Sequence, residues 1–188
     1  MVTNRPAGHG RVSRASTARP AASPAHRATT TPAAPPAVPV QALAPVSATA
    51  FGVSGPGQGD NPQTAPLAID GNPATAWRTD WYTTAQFGNL YPGTGLLLDM
   101  GRPVTVTAAR VTLGPTPGAD LQLRVGAAPA LADLPVVAHA ADAGGVVHLR
   151  LASPAHGRYV LLWFTQLPEN PDGTFQASVY GVRLAGQP

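Results

Sequence analysis

From about residue 47 onward, apolar and polar positions alternate with a period of two, and a helical period is absent. Such alternation is typical of strands that bury one face. Clusters of Gly, Pro and Asp separate the alternating runs about every ten residues, and only 131–134 could form a helical turn. Segment 159–164 is apolar on both faces, which indicates a central strand. The predicted strands are 96–100, 104–107, 110–113, 121–125, 147–151, 159–164 and 179–184. Many short strands with Gly/Pro turns predict an all-β, antiparallel sandwich.

The N-terminal part of the chain has a different composition. Residues 1–46 are rich in Ala, Pro, Thr, Ser and Arg without a periodic apolar pattern, so we expect a disordered linker followed by one domain, 47–188. The first 48 residues hold five arginines and no acid, whereas the remainder holds seven arginines and nine acids, a formal charge of −2. The pI near 10 therefore belongs to the linker, and we expect no nucleic-acid partner for the domain.

The composition also limits the covalent and membrane chemistry of the chain. There is no cysteine, which excludes disulfides and thiolate metal sites. No apolar run approaches the roughly 20 residues that span a bilayer, and the N-terminus lacks the apolar region of a signal peptide. We therefore expect no membrane insertion by this chain. Two contexts stay open, a cytoplasmic protein or a fragment whose membrane part lies upstream.

One decapeptide, residues 68–77, combines dense turn chemistry with a large apolar anchor. It reads Ala-Ile-Asp70-Gly71-Asn72-Pro-Ala-Thr75-Ala-Trp77, in which Asx side chains, Gly and Pro favour a tight turn. The pattern resembles a loop of discoidin-like domains (coagulation factor 5/8 type C, galactose-binding-like). Together with 87–90 and 93–101, it is most similar to the extracytoplasmic C-terminal domain of actinobacterial MviN/MurJ-type lipid II flippases.

This resemblance implies a jelly-roll sandwich over roughly residues 46–188. It also implies an extracytoplasmic location as the C-terminal part of a larger membrane protein, next to peptidoglycan-precursor transport. Many domains of this kind bind a structural calcium in the corresponding loop, for which Asp70, Asn72 and Thr75 would be the oxygen donors. Here the last strand, 175–181, lacks the carboxylate that usually completes the site. We therefore expect no cofactor and an Asx turn that holds the loop, with Trp77 in the core.

The segment 81–91 is the candidate ligand-binding loop. It holds four of the eleven aromatic residues, Trp81, Tyr82, Phe87 and Tyr91, and Arg78 and Asp80 flank it. Aromatic faces beside planar polar groups suit a sugar, because rings stack on C–H faces while polar groups bond hydroxyl pairs. An alternative is equally open, in which the rings fold back to cap the edge of the sandwich.

Catalytic arrangements are absent from the sequence. Ser54 lacks the spacing of a nucleophile elbow, the glycine-rich stretch 55–59 has no P-loop lysine, and the acids show no obvious pair. His139, His148 and His156 lack metal-ligand spacing. The sequence thus predicts a monomeric, non-catalytic binding module that contacts envelope glycan or an envelope or membrane protein. The alternative is a purely structural or protein-interaction domain without a small-molecule ligand.

Overall fold

The computed structural model describes residues 39–188, and these residues form nine β-strands and three short 3₁₀ helices without an α-helix. The strands are β1 (Gln41–Leu43), β2 (Ser47–Gly52), β3 (Gly55–Pro56), β4 (Trp77–Arg78), β5 (Thr94–Leu113), β6 (Ala119–Gly126), β7 (Val136–Ala143), β8 (Val146–Gln166) and β9 (Ser178–Gln187). The 3₁₀ helices are Pro62–Ala68, Phe87–Asn89 and Leu131–Asp133.

Antiparallel pairing arranges the strands in two layers that share β5 and β8. The first layer has the order β2-β5-β8-β6-β7 and uses the N-terminal half of β5 with the C-terminal half of β8. The second layer has the order β1-β9-β5-β8 and uses the other halves, and β4 pairs with the start of β9. The sequence pattern predicted 96–100, 104–107 and 110–113 as separate strands, but all three belong to β5. Likewise, the predicted strands 147–151 and 159–164 are both parts of β8.

The long strand β5 changes layer at a corner between Asp99 and Val104, where its register with β8 shifts. Gly101 adopts φ +74° there, a conformation that side-chain-bearing residues rarely take. The Asp99 carboxylate accepts a hydrogen bond from Gly101 N at 2.7 Å and a bidentate pair from Arg158 of β8 at 2.8 and 2.7 Å. The ion pair therefore joins the two long strands at the point where both leave one layer for the other.

Replacing Asp99 by asparagine should lower the melting midpoint at pH 7 by about 1–3 °C, because the ion pair is partly exposed to water. The hydrogen bond from Arg158 lowers the pKa of the Asp99 carboxyl below its ordinary value. Its contribution is therefore present above the unfolded-state pKa of about 3.9 and is lost as the pH falls through the folded-state pKa. Thermal scans from pH 7 down to about pH 2 should show the deficit of the variant shrinking. A deficit that is equal at both ends would contradict this role.

Alternation along β8 divides the apolar residues between two clusters. Val160, Leu162 and Phe164 belong to the main core between the layers. Leu161 and Trp163 point to the other side of the first layer, where residues 131–134 cover them in a second cluster. This arrangement confirms that segment 159–164 is a central strand apolar on both faces.

The predicted linker, residues 1–46, lies mostly outside the described residues. Its last part is a strand, because Gln41, Ala42 and Leu43 pair with Gly186, Ala185 and Leu184 of β9. Leu43 is also buried in the main core. The β-structure thus begins earlier than the composition suggested, since a three-residue strand has too few positions to show a period.

Candidate membrane-spanning helices were absent from residues 39–188, where every helix is a short 3₁₀ turn.

Candidate functional site

Asp60 anchors the segment that precedes β5, although it is distant from that segment in sequence. Its Oδ2 accepts hydrogen bonds from the Tyr82 hydroxyl and from Asp80 N, both at 3.0 Å. Its carbonyl oxygen accepts a hydrogen bond from Trp77 Nε1 at 2.8 Å. One residue thus fixes the core indole, the Asp80 backbone and the Tyr82 ring relative to one another.

Asn61 extends this network toward the surface. It adopts φ +45°, in the left-handed region that asparagine tolerates better than most residues. Its Nδ2 donates to the Arg78 carbonyl oxygen at 3.1 Å and to Asp80 Oδ1 at 3.0 Å. The exposed Asp80 carboxylate is therefore held in one orientation.

These residues line a cleft of about 510 Å³, here called the end cleft. Tyr91 stands at the cleft with half of its surface exposed (50%), while the Tyr82 ring is largely buried. The polar and aromatic residues that line the end cleft are Ser54, Gln58, Asp60, Asn61, Gln63, Asp80, Tyr82, Tyr91 and Thr94. The cleft volume lies within the range typical of small-ligand sites, roughly 300–1,000 Å³.

The electrostatics of the end cleft follow from its two carboxylates. Burial raises the pKa of the Asp60 carboxyl above its ordinary value, and hydrogen bonds from Asp80 N and Tyr82 offset this in part. Burial, followed by the charge of Asp60, also raises the pKa of the Tyr82 phenol. Tyr82 therefore stays a neutral hydrogen-bond donor at physiological pH.

Trp81 lies on the other side of the backbone from Tyr82. Tyr82 and Phe175 exchange two backbone hydrogen bonds at 2.9 Å, and neighbouring residues in an extended segment point to opposite sides. Trp81 is 67% exposed and borders a shallow hollow of about 380 Å³, here called the Trp81 hollow. The other residues that line it are Asn170, Asp172, Thr174 and Gln176.

Three polar residues of the Trp81 hollow are bonded to each other, and the fourth, Gln176, donates from Nε2 to the Thr79 carbonyl oxygen at 2.7 Å. Asp172 Oδ1 accepts hydrogen bonds from Thr174 N at 3.0 Å and from Thr174 Oγ1 at 2.6 Å. These bonds lower the pKa of the Asp172 carboxyl. Asn170 Nδ2 donates to Thr174 Oγ1 at 3.1 Å. Hydrogen bonds within the domain thus engage polar groups of the Trp81 hollow, as they do in the end cleft.

The predicted ligand-binding residues divide between the surface and the core. Phe87 is fully buried and meets the Tyr82 ring edge to face, with the centroids 5.4 Å apart. It cannot stack on a ligand, and both rings belong to the main core. Arg78 is exposed but lines neither the end cleft nor the Trp81 hollow. Of the proposed set, Asp80, Tyr82 and Tyr91 meet in one cavity, and Trp81 lies apart from them.

The loop 68–77 forms the predicted Asx turn. Asp70 Oδ1 accepts from Asn72 N at 2.8 Å and Asp70 Oδ2 accepts from Thr75 Oγ1 at 2.7 Å, while Asn72 Oδ1 accepts from Ala74 N at 3.0 Å. Gly71 has φ +78°. Both Asp70 oxygens are engaged within the loop, and no cluster of three or more His, Cys, Asp or Glu occurs in residues 39–188. These hydrogen bonds are those of an Asx turn, and the expectation that the loop holds no calcium stays a prediction.

Trp77 closes this loop as predicted. Its side chain has no exposed surface, and its ring packs at 6.3 Å from that of Phe164 in β8. The structure thus confirms Trp77 as a core residue that ties the loop to the first layer.

Asp60 and Asn61 are the site residues that the sequence did not reveal. Their contacts reach 17 to 22 residues along the chain, so no local spacing connects them with Asp80 or Tyr82. One feature of the sequence could have indicated Asp60 and Asn61 as site residues: this Asp-Asn pair directly follows the glycine-rich turn 55–59. Turn chemistry of this kind often positions polar side chains beside a strand end.

No family model matches the sequence, but several solved structures have a similar fold. Chitosan-binding module 1 from a chitosanase/glucanase of Paenibacillus sp. IK-5 is 16% identical and has a TM-score of 0.55, covering 76% of this chain and 96% of that chain. The CBM32 of AlyQ, in complex with 4,5-unsaturated mannuronic acid, is 19% identical with a TM-score of 0.55, covering 77% and 97% of the two chains.

A third similar structure is the family 32 carbohydrate-binding module of NanJ from C. perfringens, in complex with galactose. It is 16% identical with a TM-score of 0.54, covering 78% of this chain and 98% of that chain. None of these structures connects the chain with lipid II flippases, so the finer part of the sequence resemblance gains no support. At these identities the likeness establishes the fold alone. The chain has the β-sandwich fold of these carbohydrate-binding modules, which confirms the predicted galactose-binding-like jelly roll.

Proposed function

We propose that this domain is a non-catalytic glycan-binding module and that the end cleft holds the sugar. The observation that carries the proposal is the half-exposed Tyr91 ring beside the fixed Asp80 carboxylate in one cavity of about 510 Å³. An aromatic face can stack on the C–H face of a pyranose, and a carboxylate can accept hydrogen bonds from adjacent hydroxyls. The shared fold with carbohydrate-binding modules supports the same proposal.

The end cleft is prepared for a ligand before it binds. Asn61 holds Asp80 Oδ1 at 3.0 Å, and Asp60 holds the Asp80 backbone and the Tyr82 hydroxyl at 3.0 Å. Because these groups are already ordered, a sugar loses little affinity to side-chain ordering. Rigid polar groups beside one accessible ring favour weak but selective binding.

The charge of the end cleft selects among sugars. Asp60 and Asp80 both line it, and none of the arginines or histidines of residues 39–188 does. An acidic sugar would place its carboxylate beside these groups, where repulsion is strong in a partly buried site. We therefore propose neutral or amino sugars as the ligands.

The carboxylates of the end cleft have binding and structural roles in this proposal. Asp60 is engaged with Tyr82 and Asp80, and Asp80 is engaged with Asn61. A glycosidase needs two carboxyl groups that flank the scissile bond and exchange protons with it. The proposal gives Asp60 and Asp80 positioning and ligand-contacting roles, without proton transfer and without a cofactor.

The cellular context of the proposal rests on the sequence resemblance. An extracytoplasmic domain next to peptidoglycan-precursor transport would meet envelope glycans. We propose this context, with a monomeric domain, as the setting in which the end cleft works.

The glycan proposal predicts a specific loss in the Tyr91→Ala variant. We expect the wild-type domain to bind a neutral or amino sugar with a Kd on the order of 1 mM, and Tyr91→Ala to weaken binding about tenfold. Asp80→Asn should weaken an amino sugar more than a neutral one, because only the former loses an ion pair. Titration by two-dimensional NMR with galactose, glucosamine oligomers and muropeptides measures both effects.

Trp81→Ala is the matched control, since its ring lies outside the end cleft. If Trp81→Ala abolishes binding while Tyr91→Ala does not, the Trp81 hollow is the site and our assignment is wrong. The exposed Trp81 and Leu90, 67% and 69% accessible in one loop, favour a protein partner as the second candidate function. Spectra unchanged by all three sugars at high millimolar concentration would support that alternative.

A further inference from the structure

Four basic side chains lie together on the outer face of the second layer. Arg183 of β9 pairs in register with Arg110 of β5, which pairs in turn with His148 of β8. Arg150 lies two residues beyond His148 on the same strand and thus on the same face. All four side chains are exposed, so they form one basic row with Arg150 beside it.

A row of alanines lies next to the basic row. Ala42, Ala185 and Ala108 are successive register partners on β1, β9 and β5, and Ala108 pairs with Arg150. The small methyl groups leave a groove of about 650 Å³ between the longer side chains, and this groove is lined by both rows. We call it the arginine groove, with an apolar alanine floor and basic sides.

The charge of the arginine groove is unbalanced within the described residues. The ion pair found in residues 39–188 joins Arg158 with Asp99 at 2.7 Å, away from this groove, and the guanidinium groups of Arg110, Arg150 and Arg183 have no ion-pair partner in that part of the chain. None of the nine acids of the chain lines the groove. Like charges in register on neighbouring strands repel each other, so a bound anion would relieve a cost already present.

We infer that the arginine groove binds a carboxylate-bearing polysaccharide. Guanidinium groups bind carboxylates through two parallel hydrogen bonds, which adds geometric selectivity to charge attraction. The alanine floor offers a flat apolar surface for the C–H faces of sugar rings. Arg110, Arg150 and Arg183 lie on three different strands across the groove, so successive acidic units of one chain could each meet a guanidinium.

Other polyanions fit this groove less well. Single-stranded nucleic acid is usually held by aromatic side chains that stack on its bases, and no aromatic residue lines the groove. A lipid surface is met by protruding apolar or basic side chains, whereas this face is recessed over alanines. A thin phosphodiester polymer lacks the rings that would cover the apolar floor.

The inference is independent of the end cleft, whose charge is opposite. The test uses the full chain with oligogalacturonate as the probe and its methyl ester as the uncharged match, measured by calorimetry and NMR. The double variant Arg110→Gln/Arg183→Gln should weaken oligogalacturonate binding about tenfold or more. Arg102→Gln, an exposed arginine outside the groove, should change it less than about twofold.

Three further measurements decide the matter. Arg110→Lys keeps the charge but loses the planar fork, so it should weaken binding less than Arg110→Gln and more than Arg102→Gln. Raising NaCl from about 20 to 300 mM should weaken wild-type binding, because screening acts on exposed charges. Tyr91→Ala should leave oligogalacturonate binding unchanged, so failure of the groove and failure of the end cleft are separable.

Several outcomes would overturn the inference. Equal binding of the methyl ester, or wild-type affinity in the double variant, would show that the guanidinium groups do not recognise the carboxylates. Tighter binding of a glycerol phosphate polymer, phosphatidylglycerol vesicles or single-stranded DNA than of oligogalacturonate would assign the groove to a different partner. If oligogalacturonate changed chemical shifts only in the end cleft, it would bind there and not in the arginine groove.

Discussion

Replacing Trp77 by alanine is expected to lower the free energy of unfolding by about 3–5 kcal/mol, the usual range when a buried Phe or Trp is replaced by alanine. The indole has no exposed surface and packs against Phe164 with ring centroids 6.3 Å apart. Its Nε1 also donates to the Asp60 carbonyl oxygen at 2.8 Å. The variant therefore loses core contacts and leaves a backbone acceptor of the end cleft without its donor.

Urea denaturation followed by circular dichroism measures this loss, with Trp81→Ala as the matched control. Trp81 is 67% exposed, so its removal should change stability by less than about 0.5 kcal/mol. A free energy of unfolding for Trp77→Ala that equals that of the wild type would contradict the role of Trp77 in the core.

Phe87→Ala is expected to destabilise the domain by a similar amount, about 3–5 kcal/mol. Phe87 is fully buried, and its ring packs edge to face against the Tyr82 ring with the centroids 5.4 Å apart. The Tyr82 hydroxyl donates a hydrogen bond to Asp60. Removing the Phe87 ring should therefore also loosen Tyr82 and Asp60, which line the end cleft. Thermal unfolding gives the stability, and NMR signals of residues 79–93 report on the loop.

Tyr91→Ala provides the contrast within the same loop. Its ring is half exposed, so we expect near-native stability together with weakened sugar binding. Phe87→Ala should instead lower stability and weaken binding only through disorder of the cleft. If Phe87→Ala keeps full stability while abolishing sugar binding, then the buried position of Phe87 would be wrong.

The sequence predicted the fold class because burial of one strand face leaves a period of two. It divided β5 and β8 into shorter strands because both carry irregular stretches where they change layer. In β5 that stretch holds Gly101 and Pro103, which read as a turn in isolation. The structure instead continues the strand through a register shift between Asp99 and Val104. A corner and a turn use the same residues, so the local sequence could not distinguish them.

The candidate loop was located from its aromatic content, but the direction of each ring was not predictable. Tyr82 and Phe87 point into the core, while Trp81 and Tyr91 stay exposed. An irregular loop has no period that assigns its residues to a face. The two backbone hydrogen bonds between Tyr82 and Phe175 set the opposite directions of Trp81 and Tyr82, and a contact between residues so far apart in the chain leaves no trace in a single sequence.

The arginine groove shows the same limit on a larger scale. His148 and Arg150 lie two residues apart on β8, so they share a face, and both are exposed. That Arg110 and Arg183 lie beside them depends on the register of β5 with β8 and β9. The register of these strands is set by how their buried apolar faces pack. The buried residues therefore decide which charged side chains become neighbours on the exposed face.

Strand β9 sets the orientation in which the domain would meet its surroundings. One end of β9 pairs with β1, where the described chain begins, and the other end pairs with β4 beside the end cleft. Ten residues of strand separate the two ends by about 30 Å. The end cleft and the arginine groove therefore lie toward opposite ends of β9. The two proposed ligands would accordingly contact the domain at separate places, without competing for the same surface.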